Sequence, residues 1–264
     1  MEIASVGQAL RTGYNATIVF TLVIMVLIAL SIYLTVRGVL KPKIRRLPGI
    51  DAIDEAIGRA TELRRPVHFC MGQSGISGSV ALAALAVLRY TARKCAEMKS
   101  RLIFSFAAAS VNTVAADLIK QAYIEGNYPE GYRPEDIRWL SERQFAYSAG
   151  VLGLVLREKP AANLFFGFFM GEALLFAESG YRVGAIQIAG TTMSIVVPFF
   201  VVSCDYTLIS EEMIIAGTYI SQEPHQLGTI QAQDYMRLIG LTILGIGCVL
   251  TPLGIKFLYD ILGV

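Results

Sequence analysis

Gly72-Gln73-Ser74-Gly75-Ile76-Ser77-Gly78 is the stretch whose residue types and spacing best suit chemistry. It joins an apolar run, Pro66–Met71, to an Ala- and Leu-rich stretch beginning at Ser79. A glycine-rich turn from strand to helix presents backbone N–H groups at the helix N-terminus, and such a turn attracts anions. The loop is not a Walker A sequence, because Ser79-Val80 follows Gly78 in place of Lys-Ser/Thr. Its G-x-x-G-x-x-G spacing is not the dinucleotide fingerprint, and Gly72-Gln73-Ser74-Gly75 is one residue short of a nucleophile elbow. The same residues also suit a tight turn packed closely on its neighbours.

Further polar residues fall at expected strand ends: Ser110, Asn112, Glu172, Thr191 with Thr192, and Asp205. In a parallel sheet these ends share one edge, where ligands bind in doubly wound folds. The candidate ligand set is therefore Gly72, Gln73, Ser74, Gly75, Ser77, Gly78, Ser110, Asn112, Glu172, Thr191 and Asp205. Glu172 and Asp205 are its acids, and each also suits the first turn of a helix. No Lys or Arg accompanies them, as phosphoryl chemistry would require. Cys70, Cys95, Cys204 and Cys248 are widely spaced with no Cys-x-x-Cys pair, and His68 and His225 lie far apart, so no metal site is indicated. The cysteines read as reduced thiols and His68 as a core histidine. No catalytic residue is assigned and no cofactor is identified.

The elements that must position these residues alternate. Helices are predicted over Asp51–Leu63, Ser79–Met98, Ser110–Ile124, Phe145–Arg157, Glu172–Ser179 and Asp205–Ile220. Strands are predicted at Pro66–Met71, Arg101–Phe106, Leu164–Phe169, Ala185–Ala189 and Ile195–Val202. Continuous apolar strands separated by helices imply a parallel sheet covered on both faces. The expected fold is α/β, a Rossmann-like three-layer domain with a mostly parallel sheet of about five strands. Gly126–Arg143, rich in Gly, Pro and charge, reads as a surface excursion whose Tyr132 and Trp139 suit an interface.

The chain has 264 residues, 54% of them hydrophobic and only 17% charged, with a net charge of +2. Its mean hydropathy is +0.54. This excludes a disordered chain and a coiled coil, and no strong field points to nucleic acid. Residues 16–36 carry no charge over 21 positions, enough to cover about 30 Å as a helix. Arg37, Lys41, Lys43, Arg45 and Arg46 follow directly, which places the far side of this span in the cytoplasm. A second uncharged run, Leu238–Ile255, carries Gly240, Gly245, Gly247 and Gly254. Val183–Cys204 also lacks charge, but Gly190, Thr191, Thr192 and Pro198 punctuate it as strands rather than as a span.

The expected organisation is a short extracytoplasmic N-terminus (1–15), a transmembrane helix (16–36), a basic juxtamembrane segment (37–47), a cytoplasmic α/β domain (48–225), a linker (226–237) and a second transmembrane helix (238–258). The α/β domain is thus inserted between two membrane helices, and the protein is a two-pass protein of the cell membrane.

Leu47-Pro48-Gly49-Ile50-Asp51-Ala52-Ile53-Asp54-Glu55-Ala56, Arg65-Pro66-Val67-His68-Phe69 and Cys204-Asp205-Tyr206-Thr207-Leu208-Ile209-Ser210-Glu211-Glu212 carry a resemblance. On these residues the chain resembles a family of bacterial and archaeal membrane-anchored proteins known as a domain of unknown function. The resemblance spans nearly the whole chain. It implies a membrane-tethered α/β unit and brings no activity with it.

Two functions stand side by side. One is a non-enzymatic, self-associating scaffold held at the bilayer, a homo-oligomer with the lipid as its other partner. The other is a tethered domain that binds a nucleotide or another small anion through residues 72–78, with enzymatic activity open.

Overall fold

The computed structural model describes residues 21–22, 24–38, 46–221 and 224–250. The chain divides into two compact units, Arg45–Ser221 and a second formed by Met1–Ile44 with Gln222–Val264.

The first unit opens with α1 (Pro48–Leu63), which buries Ile50, Ile53 and Ile57 with Ala56 and Ala60 along one face. Pro48 stands in its first turn, and Arg64 ends it in a left-handed conformation. Then follow β1 (Val67–Gly72), α2 (Ser79–Glu97), β2 (Leu102–Phe106), α3 (Val111–Glu125), β3 (Ile137–Trp139) and α4 (Gln144–Glu158). The unit continues with β4 (Ala162–Phe168), α5 (Glu172–Arg182), β5 (Ile186–Thr191), α6 (Val197–Ser203), β6 (Tyr206–Ile209) and α7 (Glu211–Ser221).

The six strands form one sheet in the order β3-β2-β1-β4-β5-β6. Every pairing is parallel, with Val67 beside Leu102 on one side and Ala162 on the other. This is the doubly wound order, whose direction of progression reverses between β1 and β4. One face packs Phe69, Phe104 and Phe166 against α1, α2, α3 and α7. The other packs Phe165 and Phe169 against Tyr147 of α4, Phe176 of α5 and Phe200 of α6. The architecture is therefore three-layered, α/β and Rossmann-like, as the alternation of elements implies.

Three elements differ from expectation. Ile195–Val202 is not a strand, because residues 197–203 form α6. Its β-branched composition misleads, whereas Pro198 in the first turn and the burial of Val196 and Phe200, four apart, are helical features. The last strand is instead β6, inside the stretch read as the start of the final helix, and Ser210 with φ 49° turns it into α7. The excursion 126–143 contains a sixth strand, β3. It is secured by Asp136, which is 2% exposed and accepts two hydrogen bonds from Arg101 at 2.5 and 2.7 Å and one from Arg138. Glu158 joins both arginines to this network.

In the second unit, residues 24–36 are helical, and α8 runs from Pro224 to Leu250. Residues 226–237, expected as a linker, are thus the first half of a helix. Ser31 Oγ donates to the Gly228 carbonyl at 2.9 Å. A Cβ on Gly228 would stand 2.8 Å from Ile32 Cα, so the two backbones are in close contact. The expected segments 1–15, 16–36, 37–47 and 238–258 lie wholly or partly outside the described residues. Among those described, no helix is long and apolar enough to cross a membrane.

Candidate functional site

The crevice outside the C-terminal ends of β1 and β4 is where a doubly wound sheet binds its ligand. β1 delivers Gly72 to it with φ +65°, a conformation natural to glycine. From there Gln73 N–H donates to the Phe168 carbonyl at 2.8 Å, and Phe168 N–H donates to Ser74 Oγ at 2.7 Å. The loop is therefore laced to the end of β4. Beyond Ser74 it opens: Ile76, Ser77 and Gly78 are exposed, and no atom lies within 4 Å of where a Cβ on Gly75 or Gly78 would sit.

Glu172 closes the crevice from the other side. It is 4% exposed, in the first turn of α5. Its Oε1 accepts from Gln73 Nε2 at 2.8 Å and from Met170 N–H at 3.1 Å, and its Oε2 accepts from Gln144 Nε2 at 2.6 Å. The positive end of the helix dipole and three N–H donors, which would otherwise receive an anion, are satisfied by a carboxylate of the chain itself. Gln144 has no sequence signal, because its role depends on α4 beginning beside the start of α5. The loops after β1, β2, β4 and β5 contain no Lys or Arg. Large apolar side chains stand exposed on this same edge, among them Phe145 at 87% and Ile195 at 77%, with Ile76, Met170 and Leu174.

The remaining predicted residues divide. Ser110 and Asn112 are exposed where α3 begins, beyond β2. Thr191 is fully buried at the end of β5, with its hydroxyl accepting from Met193 N–H. Asp205 precedes β6 and so lies at the opposite, N-terminal edge of the sheet. There its carboxylate accepts from Gln187 N–H at 2.7 Å. The expectation that Glu172 and Asp205 share one edge is corrected: Ile195–Val202 is a helix, so Asp205 starts a strand rather than following one. Tyr132 packs edge-on to Tyr123, and half-exposed Trp139 donates its indole N–H to the Ala107 carbonyl at 2.8 Å.

Beneath the crevice a buried polar row crosses the sheet. His68 Nδ1–H donates to Asn163 Oδ1 at 3.1 Å, and Ser105 Oγ–H donates to His68 Nε2 at 2.8 Å. Burial lowers the His68 imidazole to about 4, with the Asn163 hydrogen bond opposing and Arg138 adding slightly. Cys70 lies 3.0 Å from the Tyr147 hydroxyl, and burial pushes its thiol up to about 11. A thiol so placed is inert as a nucleophile. Among the described residues no group of three or more His, Cys, Asp or Glu side chains gathers to hold a metal.

Removing the Glu172 carboxylate strands three donors. Glu172→Ala is expected to cost about 2 kcal/mol, within the range for a single unsatisfied buried group, because the two glutamines can turn toward water. Chemical denaturation followed by circular dichroism measures it, and a variant as stable as the wild type would show that the clamp holds nothing.

Fold and site together define a doubly wound α/β domain whose switch-point crevice is filled by its own carboxylate. The chain belongs to the family described as a domain of unknown function, DUF6754, whose model matches residues 7–262. No curated protein and no solved structure matches it.

Proposed function

We propose that this protein is a membrane-anchored scaffold of the cell membrane whose α/β domains self-associate on the cytoplasmic side. The observation that carries this reading is the helix pair of the second unit. A water-soluble helix pair buries large apolar side chains between the helices and turns polar ones outward. Here the fully buried residues are small or hydroxyl-bearing, Ser31, Thr35, Gly228 and Ala232, while Leu22, Met25, Val26, Leu30, Leu241 and Leu244 are exposed and Ile28 and Ile32 are half-buried. Small and hydroxyl residues between helices with large apolar ones outside suit a lipid surround. The uncharged run 16–36 and the basic cluster after it agree in length and orientation. The exposed apolar edge around Phe145 and Ile195 supports lateral association.

The test has two readouts. The chain should stay with the bilayer after alkaline extraction, and its protein mass in mild detergent, corrected for the micelle, should exceed the 28.8 kDa of one chain. Release from the bilayer would sink the membrane anchor, and 28.8 kDa at every concentration would sink self-association.

A second reading, nucleotide or anion binding by residues 72–78, draws on the strand order and on the open space over Gly75 and Gly78. Gly75→Asp is a clean probe, because a side chain there meets nothing and the backbone is not in a positive-φ conformation. The variant should keep the wild-type melting temperature and lose at least tenfold in affinity for ADP if the loop holds an anion. Unchanged affinity, or a wild type that binds no ADP, removes this reading.

A further inference from the structure

We propose that the cleft between α1 and the N-terminal ends of β5 and β6 binds a basic amino acid, with its carboxylate on Arg59 and its two ammonium groups on Glu55 and Asp205. The site lies within the α/β unit, at the edge of the sheet opposite the glycine loop, and does not depend on the membrane reading. α1 touches the sheet closely at Gly49, where a Cβ would overlap the Leu208 side chain. Further along α1 a cavity of about 350 Å³ opens, lined by Ala52, Glu55, Arg59, Ile186, Asp205 and Tyr206. Clefts that hold small molecules begin at about 300 Å³.

The polar groups of this cavity have bonding capacity that the chain does not use. Glu55 and Arg59 are four apart on α1, acid before base, the order that favours an ion pair along a helix. They form none, and among the described residues neither side chain has a hydrogen bond or an ion pair. Asp205 is pinned to β5: its N–H donates to the Gln187 carbonyl at 2.9 Å, and its Oδ2 accepts from Gln187 N–H at 2.7 Å. Its Oδ1 and the Tyr206 hydroxyl have no hydrogen bond among the described residues. Two carboxylates, a guanidinium and a phenol thus line one cavity unpaired.

Their charges select the ligand. The lining carries two negative charges and one positive, so a ligand of net charge +1 balances it. A guanidinium takes a carboxylate in a two-pronged bond, so the ligand carries a carboxylate as well as cations. One helical turn separates Glu55 from Arg59, about 6 Å in rise, so an ammonium and a carboxylate borne on one carbon can meet both. A second ammonium on a flexible four-carbon stem extends across the cleft to Asp205. The stem lies on Ala52, Ile186 and the Tyr206 ring, the apolar part of the lining. Lysine has these groups. A diamine leaves Arg59 unpaired, and a neutral amino acid leaves one carboxylate unpaired.

The test is isothermal titration calorimetry on the full chain in mild detergent, with L-lysine, L-leucine and putrescine as probes. Ion pairs in an open cleft are weak, so L-lysine should bind with a Kd of about 1 mM, and the other two at least tenfold less tightly. Arg59→Gln should weaken L-lysine at least tenfold and leave putrescine as it is in the wild type, because putrescine has no carboxylate. Glu55→Gln and Asp205→Asn should each weaken L-lysine at least tenfold. Glu55 and Arg59 are exposed, and Asp205→Asn keeps an oxygen for the Gln187 N–H, so a wild-type melting temperature shows that the variants fold. A wild type that takes up no L-lysine at about 10 mM overturns the proposal. So does equal binding of L-leucine or putrescine, or L-lysine affinity unchanged in any of the three variants.

Discussion

Gly72→Ala is expected to destabilise the α/β domain by about 3 kcal/mol, combining about 1–2 for a non-glycine residue at positive φ with about 1–3 for overpacking. A methyl group at this position would stand 2.2 Å from the Phe168 carbonyl oxygen and 2.8 Å from the Phe169 ring. The oxygen is backbone and accepts the Gln73 N–H, so it cannot withdraw without opening the junction of β1 and β4. Gly75→Ala, three residues away, meets nothing and should stay within about 0.5 kcal/mol of wild type. Denaturant midpoints of the two variants measure the contrast, and equal midpoints would mean that the loop is not laced to β4 as described.

Acidification is expected to remove about 3 kcal/mol between pH 6.5 and 4 through His68 alone, because each unit between folded and unfolded values is worth about 1.4 kcal/mol. The folded imidazole titrates near 4 and the unfolded one at 6.5, so the unfolded chain binds the extra proton across that window. Stability is full above pH 6.5 and falls as the pH drops toward 4. Glu158 behaves separately: Arg138 first and Arg101 second hold its carboxyl below the ordinary 4.5, so its contribution is lost only at lower pH. His68→Gln keeps a buried hydrogen-bonding group and should flatten the curve between pH 6.5 and 4. A slope that persists in that variant would assign the acid sensitivity elsewhere.

Much of the fold was legible because its strands are buried on both faces. Val67–Gly72 and Ala162–Phe168 are mostly apolar runs, broken by His68 and Asn163, between helical stretches, and that pattern has few architectural solutions. What escaped was short or decided by distant contacts. β3 has three residues and is held at its start by Arg101, which precedes β2 and binds Asp136, a link no local pattern records. α6 has strand-like composition and becomes helical because only Val196 and Phe200 need burial. At the crevice the glycine loop was visible, but the carboxylate filling it was not. Glu172 in a first helical turn is ordinary, and its meaning comes from Gln73 and Gln144, 99 and 28 positions away.

The two outermost strands are also the two shortest, β3 with three residues and β6 with four. An outer strand that long offers too few free N–H and C=O groups to template another chain. For molecules crowded in one plane this matters, since an exposed sheet edge is a ready template for aggregation into fibres. On the proposed reading, contacts between copies would be left to side chains, which can part again, so assembly would stay reversible.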